Sequence, residues 1–169
     1  MSLLERAVSS LKDGRQPDLD RPLDHGSEID LHLPALIPAD YLPDVHARLI
    51  MYKRIAGAQQ DAALWDLQEE CIERFGLLPE PLKNLFRLAG IKQRTQHLGI
   101  RKIDLGEKGG RIHFHENADV DTGKLINLLQ VNPGLYKLEG GDKLRINHEL
   151  ADARARFHFL DGFLDSLTS

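Results

Sequence analysis

The chain has 169 residues, 41% of them hydrophobic and 28% charged, and carries a net charge of -4. That length suits one domain, or one domain with an appended segment, and the balance is that of an ordinary globular chain able to bury a core without metal or disulfide. The acidic balance argues against a chain whose main business is DNA binding, although it leaves room for a local basic face. Cys71 is the only cysteine, so no internal disulfide is possible and a reducing compartment is expected. No apolar run approaches the length of a membrane span, and the N-terminus lacks an apolar leader core.

Residues 2–13 carry apolar side chains at helical spacing, and Gly14 is a stop signal. The following stretch, GRQPDLDRPLDHGS, is too polar and too proline-broken to bury much and reads as a linker. From Glu28 the pattern changes: Ile29, Leu31 and Leu33 alternate with polar residues, which predicts a half-buried strand over 28–33. Pro34 and Pro38 then keep the chain extended. Asp40, Pro43 and Asp44 mark a helix start, with Val45, Leu49, Tyr52 and Ala56 as its inward stripe and Gly57 at its end.

A second helix is expected from Asp61, which can cap it, to Phe75, burying Leu64, Leu67, Cys71 and Phe75 before Gly76. Pro79 and Pro81 open a third helix to Leu98, with Leu82, Leu85, Phe86 and Ala89 inward and Gly99 as its stop. Ile100–Leu105 and 111–115 flank GEKGG as a hairpin. Asp121 can cap a helix carrying Leu125, Leu128 and Leu129, ended by Pro133-Gly134. Residues 136–138 and 143–146 flank EGGD as a second hairpin, and a last helix over 149–167 carries Leu150, Ala153, Phe157, Leu160 and Leu164. The fold class is therefore α+β: a small mixed or antiparallel sheet with two hairpins, packed against several helices. The expected division is a connecting helix and linker over 1–27 and one domain over 28–169.

Motifs for chemistry are sparse. Gly123-Lys124 is followed by Leu125 and preceded by Ala118 where a phosphate loop needs glycine, and Gly106, Gly109 and Gly110 sit between strands with no helix to follow. His113 and His115 share a strand face and with His32 or His148 are conceivable zinc ligands, but no cysteine pair or helical histidine motif supports a metal site. Cys71 lies on an inward stripe, where a thiol is packing material rather than a nucleophile. Lys92, Arg94, Arg101 and Lys102, with Lys108 and Arg111, form a basic cluster that could touch phosphate; no aromatic residues are interleaved with it as a stacking platform needs. Glu69, Glu70 and Glu73 form an acidic stripe on the second helix, and Glu70 and Glu73 are three apart, on one side. They would offer carboxylates to a basic partner, ideally arginine.

EIDL, LPALIPADYLPDVHARL, YKRIA, RFGLLPEP, LGIRK and EKGG occur in this order. Together they resemble the C-terminal domain of the bacterial transcription-repair coupling factor, over nearly the whole chain but least distinctively from Asp121 onward. The resemblance implies a non-catalytic regulatory domain, preceded by the end of a translocase motor. It implies a parent that uses ATP and magnesium in that motor, clears stalled RNA polymerase from double-stranded DNA and recruits UvrA in the cytoplasm. It implies no cofactor in this segment, and a contact that masks the parent's UvrA-binding module and restrains its motor. Glu70 and Glu73 are the positions it marks for that contact. The alternatives from the residues alone are an accessory nucleic-acid-binding domain using Lys92, Arg94, Arg101 and Lys102, and a small hydrolase or metalloprotein.

Overall fold

A computed structural model describes residues 27–116, 118 and 120–168. The expected helix over 2–13 and all but the last residue of the linker lie outside the described residues. Those described pack as two compact units, one of residues 34–90 and one of residues 27–33 with 91–168.

The first unit begins with the proline-punctuated arm and continues through α1 (Val45–Gly57), α2 (Asp61–Phe75) and the first half of α3 (Glu80–His97). The arm makes no sheet, so its backbone groups must find other partners. The Leu36 amide donates to the Pro81 carbonyl (3.1 Å), the Ile37 amide to the Tyr52 hydroxyl (2.8 Å), and the Asn84 amide group to the Pro34 carbonyl (2.9 Å). Ile37 and Leu42 of the arm enter a core with Met51, Tyr52, Ile55, Leu64, Leu67, Cys71, Leu82, Leu85 and Phe86. The stripe expected on α1 is therefore rotated: Tyr52 is buried as read, but Val45 is exposed and Met51 and Ile55 take the inward places. Apolar residues occur all round α1, and the arm selects the face. Gln60, not Asp61, stands at the N-cap of α2, and Asp61 lies in the first turn, where its carboxylate meets the positive end of the dipole. The stripe Leu64, Leu67 and Cys71 is buried as read, and Phe75 is half-buried with its ring edge-on to Tyr41 at 5.8 Å.

The second unit is a mixed five-stranded sheet among the described residues, with strand order β1-β2-β3-β5-β4. The strands are β1 (Glu28–Asp30), β2 (Ile100–Gly106), β3 (Gly109–Phe114), β4 (Tyr136–Glu139) and β5 (Lys143–Ile146). β1 pairs parallel with β2 and every other pair is antiparallel. The expected strand over 28–33 stops early because His32 turns to φ 55° while its amide donates to the Asp30 carboxylate (2.9 Å). Conversely, the first hairpin runs into its glycines. Leu105 pairs with Gly110 and Gly106 with Gly109, leaving Glu107 and Lys108 as the turn.

One sheet face is apolar: Ile100, Ile103, Leu105, Ile112, Phe114, Tyr136, Leu144 and Ile146 are buried, as are Phe157, Leu160, Phe163 and Leu164 of α5 (Ala153–Thr168). α5 starts later than read, because Asp152 caps it by accepting from the Ala155 amide (2.8 Å), and Leu150 is buried ahead of it. Leu125, Leu128 and Leu129 of α4 (Thr122–Val131) are only half-buried, since this short helix meets the unit chiefly at β4 and α5. Gly110 must lack a side chain: a Cβ there would lie 1.8 Å from the Asp104 carbonyl oxygen. Gly110→Ala is expected to lose about 3 kcal/mol of stability, the upper end for forced overpacking, as measured by urea denaturation followed by circular dichroism.

Candidate functional site

α2 carries two different faces. Its buried stripe seats Cys71 with the thiol 3.9 Å from the Met51 sulfur, and burial, followed by the Glu70 charge, pushes the thiol pKa up. On the opposite side Trp65, Glu69, Ile72 and Glu73 fall at i, i+4, i+7 and i+8, within an arc of about 100° at 3.6 residues per turn. Trp65 is 65% exposed, Ile72 43%, and Leu77, just past the helix end, 86%. Glu69 and Glu73 are exposed and make no ion pair among the described residues. The helix thus presents solvent with a large aromatic and two aliphatic side chains flanked by carboxylates. Scattered exposed apolar residues are ordinary, but a tryptophan aligned with an isoleucine two turns on is an anchor of the kind that carries binding energy.

Glu70 stands differently from Glu73. It is rotated toward α1, where its carboxylate accepts from both terminal nitrogens of Arg54, one at 2.9 Å, and from Arg74 at 3.2 Å. The Arg54 hydrogen bond, with both guanidinium charges, holds the Glu70 carboxyl below the usual carboxylate range. Arg74 also lies 4.8 Å over the Phe75 ring. Glu70 therefore ties α2 to α1, while Glu73 is exposed and makes no ion pair among the described residues. Tyr41 secures the C-terminal end of α2: its hydroxyl bonds to the carbonyls of Cys71 (3.1 Å) and Gly76 (2.9 Å).

The sequence-marked basic residues separate into two groups. Lys92 and Arg94 lie on α3, and Arg94 is held by Asp161 (3.5 Å) and Asp165 of α5. Arg101 and Lys102 lie on β2 at a register shift, and both sit against His113 on the polar face of the sheet. Lys102 is 3.9 Å from Glu28, and Arg111 is 2.8 Å from Glu139.

Among the described residues no group of three or more histidine, cysteine or acidic side chains is placed to hold a metal ion. His32 lies between Asp104 (2.6 Å) and Asp30 (3.7 Å), His113 is beside Arg101, and His148 packs 5.7 Å from the Phe159 ring. The Gly123 and Lys124 amides, which a phosphate would need, already donate to the Asp121 carboxylate (2.9 and 3.3 Å). No described helix is long and apolar enough to cross a membrane. Sequence reasoning missed Trp65, Ile72 and Leu77. The signal was present, since two of them lie seven apart and off the buried stripe.

Fold and surface together define an α+β module with an exposed amphipathic helix. The family model described as the TRCF domain matches residues 31–125, more than half of the chain. The chain belongs to the TRCF domain family. It is 42% identical to the transcription-repair-coupling factor of Escherichia coli (strain K12) over 99% of this chain and 14% of that protein. Its counterpart in Haemophilus influenzae is 40% identical over 100% of this chain and 15% of that protein, and the one in Myxococcus xanthus 33% over 84% and 11%. The chain thus spans about a seventh of the first two relatives. A crystal structure of the C-terminal domain of transcription-repair coupling factor has the same fold, with a TM-score of 0.71 at 20% identity over 83% of this chain and 91% of that one.

The Glu70 clamp makes an acid-stability prediction. Its folded pKa is lowered from 4.5, so its contribution is complete above pH 4.5 and is lost as pH falls through the lower folded value. Glu70→Gln is expected to flatten the stability–pH curve below about pH 4.5, by under about 1 kcal/mol for so exposed a pair, as measured by urea titration across pH 2.5–6.

Proposed function

We propose that this chain is a non-catalytic regulatory domain of a transcription-repair coupling factor, docking through α2 onto the parent's UvrA-binding module and masking it until stalled RNA polymerase is engaged. The parent in this reading is an ATP- and magnesium-dependent translocase on double-stranded DNA in the cytoplasm, and its motor is restrained by this domain. Family membership supports the parentage. The exposed face Trp65-Glu69-Ile72-Glu73, extended by Leu77, carries the docking reading.

The face has the composition a releasable lock needs. Apolar anchors supply affinity through desolvation, and free carboxylates select a basic counterpart and reject an acidic one. A tethered domain acts at high effective concentration, so each contact can be weak and still keep the mask closed. Switching such a lid from about 1:99 to 99:1 takes about 5.5 kcal/mol of differential binding, within the reach of polymerase and DNA engagement. Glu70 enters by fixing the pose of α2, because its oxygens are already committed to Arg54 and Arg74.

Calorimetry between the 169-residue chain and the isolated UvrA-binding module tests this. Trp65→Ala is expected to cost about 2 kcal/mol, roughly thirtyfold in Kd, and Glu73→Arg to weaken binding at least tenfold. Lys124→Glu, on α4 of the second unit, should leave the affinity unchanged. Full affinity in both α2 variants would remove the assignment. UvrA capture no better after deletion of this domain from the parent would remove the masking.

A further inference from the structure

The polar face of the sheet, in the second unit, holds a second surface. Alternation puts the apolar side chains of β2, β3, β5 and β4 on one face and the charged ones on the other. In one cross-strand row Asp104, Arg111, Arg145 and Lys137 stand side by side; in the next are Lys102, His113, Lys143 and Glu139. The rows are about 6.6 Å apart along the strands. Three cations adjacent in one row oppose sheet pairing, where like charges directly opposite are destabilising. Glu139 relieves part of this by bridging Arg111 (2.8 Å) and Arg145 (3.6 Å). Lys137, Lys143 and Arg101 have no carboxylate at ion-pairing distance among the described residues. Apart from Glu139 and, in the β4–β5 turn, Asp142, the acidic side chains on the face gather toward β1, at Glu28, Asp30 and Asp104, so the β3–β5–β4 side, with Arg111, Arg145, Lys137 and Lys143, is locally basic in an acidic chain.

His113 reports the resulting field. Burial, then Arg101, Lys143 and Lys102, lowers its pKa, so the imidazole stays neutral among cations rather than adding to them. We propose that this face is a binding site for the phosphodiester backbone of duplex nucleic acid, contacted by Arg101, Lys137 and Lys143 without sequence preference.

The chemistry selects phosphate over a protein partner. A stable protein interface needs an apolar centre, and the exposed large apolar residues of this unit are Ile126, Val131 and Leu138. The first two lie on α4, and Leu138 is the cross-strand partner of buried Leu144, on the opposite side of the sheet. The face also lacks aromatic rings on which unpaired bases would stack. Cations at regular spacing with nothing apolar between them suit a backbone that offers charge alone.

Anisotropy of a labelled 20-base-pair duplex, titrated with the 169-residue chain between about 20 and 200 mM salt, tests this. Neutralising three phosphates gives a slope of about -3 in log K against log salt, with Kd on the order of 10–100 µM at low salt. Arg101→Glu with Lys143→Glu should lower affinity at least tenfold. Lys137→Ala, on the edge strand, should reduce the slope by about one. Lys83→Glu, in the other unit, should change nothing. Amide shifts on adding duplex should fall in β2, β3, β5 and β4, a readout independent of how any variant folds. A flat salt dependence, full affinity in the double variant, shifts confined to α3, or binding of polyglutamate but not duplex would each overturn the proposal.

Discussion

The first unit depends on an extended arm that has no strand to pair with. Pro34 and Pro38 forbid helix and remove two donors, yet the chain between them enters a core, where each remaining amide and carbonyl needs a partner. The partners are supplied by the helices: the Tyr52 hydroxyl from α1, and the Asn84 side chain and Pro81 carbonyl from α3. Loss of one would leave a buried polar group unmet, at a cost of about 1–3 kcal/mol. This explains why Tyr52, an amphipathic residue, occupies the inward position that pattern alone would also give to any large apolar side chain.

That arrangement determines what α2 has left to offer. With Tyr41 holding the carbonyls at its end and Glu70 drawn to Arg54, the helix is fixed along one edge. Its outer face is then free to be specific without being needed for the fold. Trp65 and Ile72 lie outside the buried core, so their exposed apolar surface is a solvation cost. The sheet shows the same separation by other means: β-alternation places every core side chain on one face and leaves the charge pattern of the other unconstrained by packing.

The elements were largely legible, and the reasons for the exceptions are physical. Helix and strand types followed from periodicity and from glycine and proline stops, such as Gly76 at φ 98° and Gly99 at φ 70°. The family resemblance was carried by blocks whose roles are now visible as arm, α1 start and hairpin turn. What the pattern missed was phase and pairing. The rotation of α1 is decided by the arm it packs against, a long-range contact no local window contains. The distinction between Glu70 and Glu73 depends on Arg54, sixteen residues earlier. Arg94 and Arg101 look equivalent in a basic cluster, and only the return of α5 gives the first two aspartates and not the second. Arg156 drew no notice, yet it is buried and donates to the carbonyls of Leu150 (3.0 Å) and Leu31 (3.1 Å).

The parallel pairing of β1 with β2 has a consequence for how the chain is made. Glu28 pairs with Lys102, and every described residue of the first unit is encoded between them. At about 5–20 residues per second of synthesis, β1 emerges several seconds before its neighbour exists. The intervening unit, whose contacts are all nearer in sequence, has time to condense first. β1 itself is three residues long and bears a carboxylate at each end, Glu28 and Asp30. Such a strand has little tendency to recruit the wrong edge while it waits.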